Sequence, residues 1–527
     1  MAITEYTETT ERQTVLTTRN SKEGTMKSLL ILACSLPLCA FPQASRLAED
    51  VSYGATITGV ACKGTHSPFF LSNNKYGLGT PENNFGYLRT YIGREAEADS
   101  LRNWKIGYGA DIVVSANLES SFILQQLYAD LQWKNLRLSI GQKERPPELK
   151  NLHLSSGAMT TGINTRPLPQ VRLEVPDFVN IRCTKGWLAI KGHISFGWYS
   201  DGKWQREFNN GNQWSPYTRH SKYHSKALFL RIGNERKFPL TLSGGLEMCC
   251  QFGGEAWNLR DRADHDDPNF SSHQDLNDGW KNYWQALTFS GEDVNDGDYM
   301  NVAGNHLGSW HARFDYKGKG WSSAFYLEHF FEDHSQLFWQ YGWRDMLYGV
   351  EINLPRNKFV STIVYEHIGT MDQSGPIYHD KSENMNFQIS GVDGYYNNHI
   401  YGAWQHAGFV IGNPLLISPI YNQNGALRVF HNRIRAHHIG ISGNPLKDLS
   451  WRFLISTEKS YGTYDEPLID PLRGTYFLTE ATYRPKFARG LGITLSYAHD
   501  SGKLLGNSNG AMLSISYSGK TARKGNR

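Results

Sequence analysis

Leu240-Thr241-Leu242-Ser243-Gly244-Gly245-Leu246-Glu247-Met248-Cys249-Cys250-Gln251-Phe252 decides the architecture of this chain. Successive side chains of an extended strand point to opposite faces. Leu240, Leu242, Gly244, Leu246, Met248, Cys250 and Phe252 therefore share one face, and Thr241, Ser243, Gly245, Glu247, Cys249 and Gln251 share the other. The same period of two recurs where Leu188, Ile190, Ile194, Phe196 and Trp198 oppose Ala189, Lys191, His193, Ser195 and Gly197. It recurs where Trp310, Phe314 and Tyr316 oppose Ser309, His311, Arg313 and Asp315, and where Met346, Tyr348, Val350, Ile352 and Leu354 oppose Leu347, Gly349, Glu351 and Asn353. Near the C-terminus it returns in Leu491, Ile493, Leu495 and Tyr497, then in Leu513, Ile515 and Tyr517.

Several of these apolar faces are long and end in aromatic residues, as suits a strand of ~9–11 residues crossing a bilayer between aromatic girdles. The opposite faces carry Lys191, His193, Glu247, Arg313, Asp315 and Glu351, which need a wet interior. Such strands must close on themselves, because an open edge in hydrocarbon leaves amides and carbonyls unpaired. A soluble propeller or jelly roll also alternates, but the chain has no fixed-period repeat to support one. The expected fold is all-β: a closed antiparallel transmembrane β-barrel.

Turn residues divide the chain asymmetrically. Short turns fall at Lys134-Asn135, 234–237, 317–320, 355–358, 444–448 and 484–487 and are expected to face the periplasm. Long irregular stretches at roughly 144–185, 199–225, 253–306 and 369–430 are expected to fold over the outer mouth or plug the lumen. From Met26, a basic start followed by Leu29–Phe41 reads as a secretory signal peptide spanning 26–44, with 1–25 an extension outside the true start. The barrel is expected over 45–517, with 518–527 a disordered basic tail.

The chain's 527 residues are 13% aromatic and include 51 glycines, and its 54 basic residues nearly balance 50 acidic ones, for a net charge of +4. That balance argues against a nucleic-acid partner. Beyond the signal peptide, Cys62, Cys183, Cys249 and Cys250 lack metal-ligand spacing, and no metal or other cofactor is expected.

The densest ionisable cluster is Glu328-His329-Phe330-Phe331-Glu332-Asp333-His334. On a strand, Glu328, Glu332 and His334 share a face; the pair of carboxylates admits a glycan hydrolase, and equally a hydrogen-bonded rim. His437 and His438 point to opposite faces, so only one can enter the lumen. No nucleophile elbow is present, and no catalytic residue is assigned. The 253–306 stretch sets Asp261, Asp264, Asp266, Asp267, Asp275 and Asp278 beside Trp257, Trp280, Tyr283 and Trp284. A later stretch holds Asp372, Tyr378, His379, Asp380, Tyr395, Tyr396, Tyr401, Trp404 and Tyr421. Aromatic faces stack on sugar rings while carboxylates bond hydroxyls, so these loops read as carbohydrate-facing; the alternative is that their aromatics pack the plug and the girdle.

Ser121–Asp130, Gly141–Leu149, Gly304–Trp310, Glu328–Ser335, Asp372–Asp380, Asn413-Pro414-Leu415-Leu416 with Ser418-Pro419-Ile420-Tyr421-Asn422, and Arg435–Gly443 resemble, in the same order, motifs of the capsule-assembly Wzi family in its Bacteroides-type branch. The resemblance covers nearly all of the chain after the signal peptide. It implies a plugged outer-membrane barrel of about 18 strands, non-enzymatic, that binds capsular or extracellular polysaccharide as a lectin and helps attach it to the cell surface. The remaining expected partners are outer-membrane lipid and lipopolysaccharide, and the expected state is a monomer. Within these motifs and loops, Arg145, Glu148, Glu332, Asp333, His334, Tyr378, His379, Asp380 and Trp404 are the candidate glycan-binding residues, acting by polar recognition and stacking. The alternative function is an outer-membrane diffusion channel for small solutes or oligosaccharides.

Overall fold

The computed structural model describes residues 47–99, 103–259, 272–290, 304–332, 345–355, 357–373, 378–379, 388–389 and 394–522. The segments expected to be an extension (1–25) and a signal peptide (26–44) lie outside the described residues. The chain divides into Ser52–Gly519 and a second unit, of which residues 47–51 and 520–522 are described. In the second unit Thr521 ties the ends together: its hydroxyl accepts the Val51 amide at 3.0 Å and donates to the Ala48 carbonyl at 2.9 Å.

Ser52–Gly519 is a closed antiparallel barrel whose sheet has 18 strands. In chain order they are β1 Ser52–Gly64, β2 Asn84–Arg94, β3 Trp104–Ala116, β4 Phe122–Trp133, β5 Leu136–Gln142, β6 Gln170–Asn180, β7 Leu188–Trp198, β8 Lys222–Ile232, β9 Leu240–Phe252, β10 Asn305–Lys317, β11 Ser322–Glu332, β12 Met346–Asn353, β13 Thr362–Gly369, β14 Ile434–Gly443, β15 Leu449–Gly462, β16 Pro467–Tyr483, β17 Leu491–Gly502 and β18 Ser508–Lys520. Each pairs with the next, and β1 pairs with β18 to remove the edges. The six short turns expected from sequence all lie at one end, and every long connection lies at the other together with the short turns 117–121, 463–466 and 503–507, as in outer-membrane barrels, whose short turns face the periplasm.

The burial pattern is inverted relative to a water-soluble sheet. In β9, Thr241 and Ser243 are each 4% exposed and Glu247 3%, whereas Leu240 is 41% exposed. The inversion runs around the barrel: Leu228, Leu230, Ile232, Phe314, Leu495, Leu513 and Ile515 are exposed, while Asp111, Gln126, Glu328, Glu366, Ser456 and Ser496 are buried. A Leu or Ile left in water forgoes roughly 1.5–3 kcal/mol, so a continuous belt of them requires hydrocarbon around it.

Three expectations need correction. The stretch 144–185 is not one loop, because it contains β6. There Val171 and Leu173 alternate with Arg172 and Glu174, but a bulge between Val175 and Val179, spanning Pro176, interrupts the pattern. The last strand runs to Lys520, three residues past Tyr517, where the tail was expected to begin. Finally, only part of the described 253–306 stretch turns toward the mouth: Asn258 donates to Asn209 Oδ1 and to the carbonyls of Asn212 and Ser215, whereas the helix that follows does not. Its helix Trp280–Thr288 lies on the outer wall, where Ala286 and Tyr283 pack on Cys250, Phe252 and Phe196. Lys226 on the wall donates to the carbonyls of Ala286 and Leu287 at the helix end.

Candidate functional site: a plugged lumen and its cavity

The inward rows of the strands bring carboxylates from distant parts of the chain into one lumen, and the 143–169 segment fills it. Glu366 on β13 receives four donors: Ser155 Oγ at 2.7 Å, Ser156 N at 2.7 Å, Ser156 Oγ at 2.5 Å and Tyr326 Oη at 2.6 Å. Tyr326 reaches it because its cross-strand partner is Gly349, where a Cβ would stand 2.5 Å from the ring. Glu328 accepts the Met159 amide at 2.8 Å and pairs with Lys150. Glu247 accepts the Thr161 hydroxyl. Glu144 of the plug pairs in turn with Arg89 on β2 at 3.0 Å, and the same guanidinium holds Asp111 on β3. Glu366, Glu328 and Asp111 thus each meet an opposite charge or several donors, as their loss of hydration demands.

A second plug segment, 394–433, packs against the first. Tyr395, Tyr396, Trp404, Leu415, Leu416 and Val429 join Leu154 and Met159 in one apolar core. The Trp404 indole donates to the Thr160 carbonyl at 3.0 Å, and the Tyr396 hydroxyl donates to the Met159 carbonyl.

Between the plug and β6–β9 the lumen retains a cavity of about 460 Å³, within the usual range for small-molecule sites. The plug contributes Arg145, Glu148 and Arg166 and the β1–β2 connection Tyr76; the wall contributes Arg172, Glu174, Lys191 and His193; Glu95 and Glu97, in the turn after β2, border it at the short-turn end. Arg145 donates to Ser139 Oγ and to the Lys143 carbonyl, both at 3.1 Å, and has no carboxylate partner among the described residues. Burial pulls its guanidinium down to about 10, and the positive charge of Arg172 pushes the same way. Glu148 accepts Lys191 Nζ at 2.6 Å, and Arg172 pairs with Glu174 at 2.6 Å. The cavity therefore offers mixed charges and one unneutralised guanidinium, a surface suited to hydroxyl-rich or anionic ligands.

The structure brings together only some of the residues anticipated from sequence. Arg145 and Glu148 line the cavity. Glu332 faces the plug and accepts the Tyr396 amide at 2.6 Å, and Trp404 is fully buried, its ring committed to the plug core. Asp333, His334 and Asp380 lie outside the described residues, while the backbone of Tyr378–His379 pairs with Gln388–Ile389. Tyr395, Tyr396 and Tyr401 are buried, so the later aromatic stretch packs the plug rather than presenting faces to a sugar. Glu328 and Glu332 are four residues apart on one strand, roughly 13 Å, beyond the ~5–9.5 Å that paired glycosidase carboxylates need. His438 does point inward, bonded to Ser456 Oγ at 2.7 Å and the Leu154 carbonyl at 2.8 Å, while His437 faces out and is bonded to Tyr365 Oη at 2.9 Å. Sequence reasoning missed Lys150, Arg172 and Glu366 as members of this lumen; the Arg172/Glu174 alternation in β6 was the available signal.

No family model matches the chain, and no curated protein matches it. Among solved structures it is similar to Wzi of Escherichia coli, an outer-membrane protein involved in group 1 capsule assembly and a carbohydrate-binding β-barrel, with a TM-score of 0.54 and 14% identity over 90% of this chain and 85% of that one. OccK5 (TM-score 0.45, 9% identity, 89% of this chain and 98% of that one) and OprD (0.43, 10%, 90% and 94%), both of Pseudomonas aeruginosa, follow. At these identities the Wzi likeness establishes the fold, that of outer-membrane barrels; the two other scores carry no further argument.

Proposed function

We propose that this protein is a non-enzymatic, lectin-like member of the Bacteroides-type Wzi branch, exported to the bacterial outer membrane, where it binds capsular or extracellular polysaccharide and assists its assembly or attachment at the surface. The observation that carries the reading is the lumenal cavity, walled by charged and hydrogen-bonding groups from both plug and barrel, in a fold shared with a carbohydrate-binding barrel. Arg145 and Glu148 are the direct glycan contacts. Glu332 and Trp404 serve by holding the plug that presents them. Asp333, His334, Tyr378, His379 and Asp380 make a second set of contacts from the loops at the long-connection end.

The diffusion-channel reading has less support, because the plug is tied to the wall by ion pairs and hydrogen bonds from several strands. Purified, folded protein should retain native capsular polysaccharide on an affinity column, and Arg145→Gln with Glu148→Gln should weaken retention about tenfold, the loss expected of one or two charge-assisted hydrogen bonds. Absence of retention by a barrel that migrates as a compact, heat-modifiable species would refute the proposal.

A further inference from the structure

The outward face of β14–β16 carries a row of cations that the lumen chemistry does not use. Arg435 stands directly opposite Lys459, and Lys459 directly opposite Arg473. The amide of Lys503, in the turn after β17, donates to the Arg473 carbonyl at 2.9 Å, which sets a fourth cation at the end of the row. Arg435, Arg473 and Lys503 are exposed and Lys459 is half-buried. Like charges at directly opposed positions destabilise a sheet, since their Cβ atoms stand only ~4.5–5.5 Å apart. No described carboxylate lies within ion-pair distance to relieve them. Asp465 and Glu466, in the neighbouring turn, are held by Arg428 at 2.7 and 3.1 Å, and Asp470 sits in the irregular stretch of β16 between Pro467 and Leu472 without an ion pair to the row.

The height of the row says what meets it. Ile439, Ile455 and Phe477 are opposed in register on the same outward face, four residues nearer the short-turn end, or roughly 13 Å down the strands. Between the two levels lie His437, Thr457 and Thr475. Moving toward the long loops, the wall thus passes from apolar to weakly polar to cationic, the sequence of environments from acyl chain to headgroup in the outer leaflet. We propose that Arg435, Lys459, Arg473 and Lys503 form a binding site for the phosphate groups of an outer-leaflet lipid. The row is continuous with the apolar belt, so the phosphate that neutralises it is one carried on acyl chains beside the barrel, paired directly with the guanidinium and ammonium groups.

The test is native mass spectrometry of the folded full chain in detergent with bisphosphorylated lipid A as probe. The wild type should retain the lipid, and Arg435→Gln/Lys459→Gln/Arg473→Gln should weaken binding on the order of 100-fold, while Arg435→Lys/Arg473→Lys stays close to wild type. Dephosphorylated lipid A should bind the wild type no better than lipid A binds the triple variant. The lipid should stay bound in chelator and in excess inorganic phosphate; loss in chelator would replace direct pairing with a metal bridge, and displacement by phosphate would remove the lipid as the source. Equal retention by the triple variant, or equal binding of the dephosphorylated probe, overturns the site. Should the triple variant not fold, Lys459→Gln and Arg473→Gln singly should each weaken binding about fivefold, and no change in either overturns it.

Discussion

Lys150 of the plug and Glu328 of β11 form an ion pair in which both side chains are all but sealed from solvent, at 2% and 0% exposure. The pair joins a loop residue to a wall residue across the lumen, and Glu328 also accepts the Met159 amide. Burying two charges costs several kcal/mol per ion, recovered only while each has the other. Lys150→Met strands the carboxylate and should destabilise the plugged state by about 3–5 kcal/mol, whereas Lys150→Met with Glu328→Gln should recover most of that loss. Chemical unfolding of the folded protein in detergent, followed by tryptophan fluorescence, measures both.

Glu366 does the same work with neutral donors. Its four hydrogen bonds come from two plug serines and Tyr326. Glu366→Leu leaves these donors without an acceptor, each at about 1–3 kcal/mol, and should unseat the Ser155–Gly157 stretch. In planar bilayers the wild type should be nearly silent and Glu366→Leu should flicker open. Large steady steps from the wild type would instead favour the diffusion channel.

Acid should loosen the plug through His431, which precedes β14 and is bonded to Ser460 Oγ at 2.9 Å. Burial lowers its pKa from 6.5 to about 4. Between those values the unfolded chain binds more protons than the folded one, so the stabilising contribution is complete above pH 6.5 and is lost as pH falls toward 4. After allowance for partial exposure the loss is up to about 2 kcal/mol. His431→Asn, whose amide nitrogen can replace Nδ1, should flatten the decline in melting temperature between pH 7 and 4; an unchanged slope would assign it to other groups.

The barrel was legible in the sequence because its determinant is local: Thr241, Ser243 and Glu247 against Leu240, Leu242 and Leu246 state the two environments in one strand. Pro176 and its bulge hid β6, since a single irregularity shifts the faces and erases the period. The lumen was less legible for a different reason. Ser156 and Glu366 are 210 residues apart, and nothing in either neighbourhood encodes the other. Trp404 shows the limit of composition: an indole in a Gly- and Asn-rich loop suits a sugar platform or a packed core equally, and only its burial against Tyr223 and the plug distinguishes them. The outward cations were hidden in plain alternation, because Arg435, Lys459 and Arg473 become a row only when three strands are placed in register.

The inverted burial pattern makes adjacent residues respond oppositely to the same change of environment. Leu495 on β17 is 59% exposed on the outward face, and Ser496 beside it is buried in the lumen, donating to Glu480 Oε2 at 2.8 Å. In lipid vesicles Leu495→Arg places a charge in hydrocarbon and should destabilise the barrel by about 2–4 kcal/mol if the position lies near the midplane, with the cost shrinking toward either interface. Leu495→Ala should cost less, since its side chain exchanges contact with acyl chains rather than with a packed protein core. Ser496→Ala removes one charge-assisted hydrogen bond, about 1.5–3 kcal/mol, and that cost should be the same in vesicles and in detergent because its surroundings are protein in both. Urea titrations in bilayers of different thickness separate the two: the Leu495→Arg penalty should vary with thickness and the Ser496→Ala penalty should not. A Leu495→Arg variant as stable as the wild type in every bilayer would mean that this face meets water, and the membrane-spanning reading would fall.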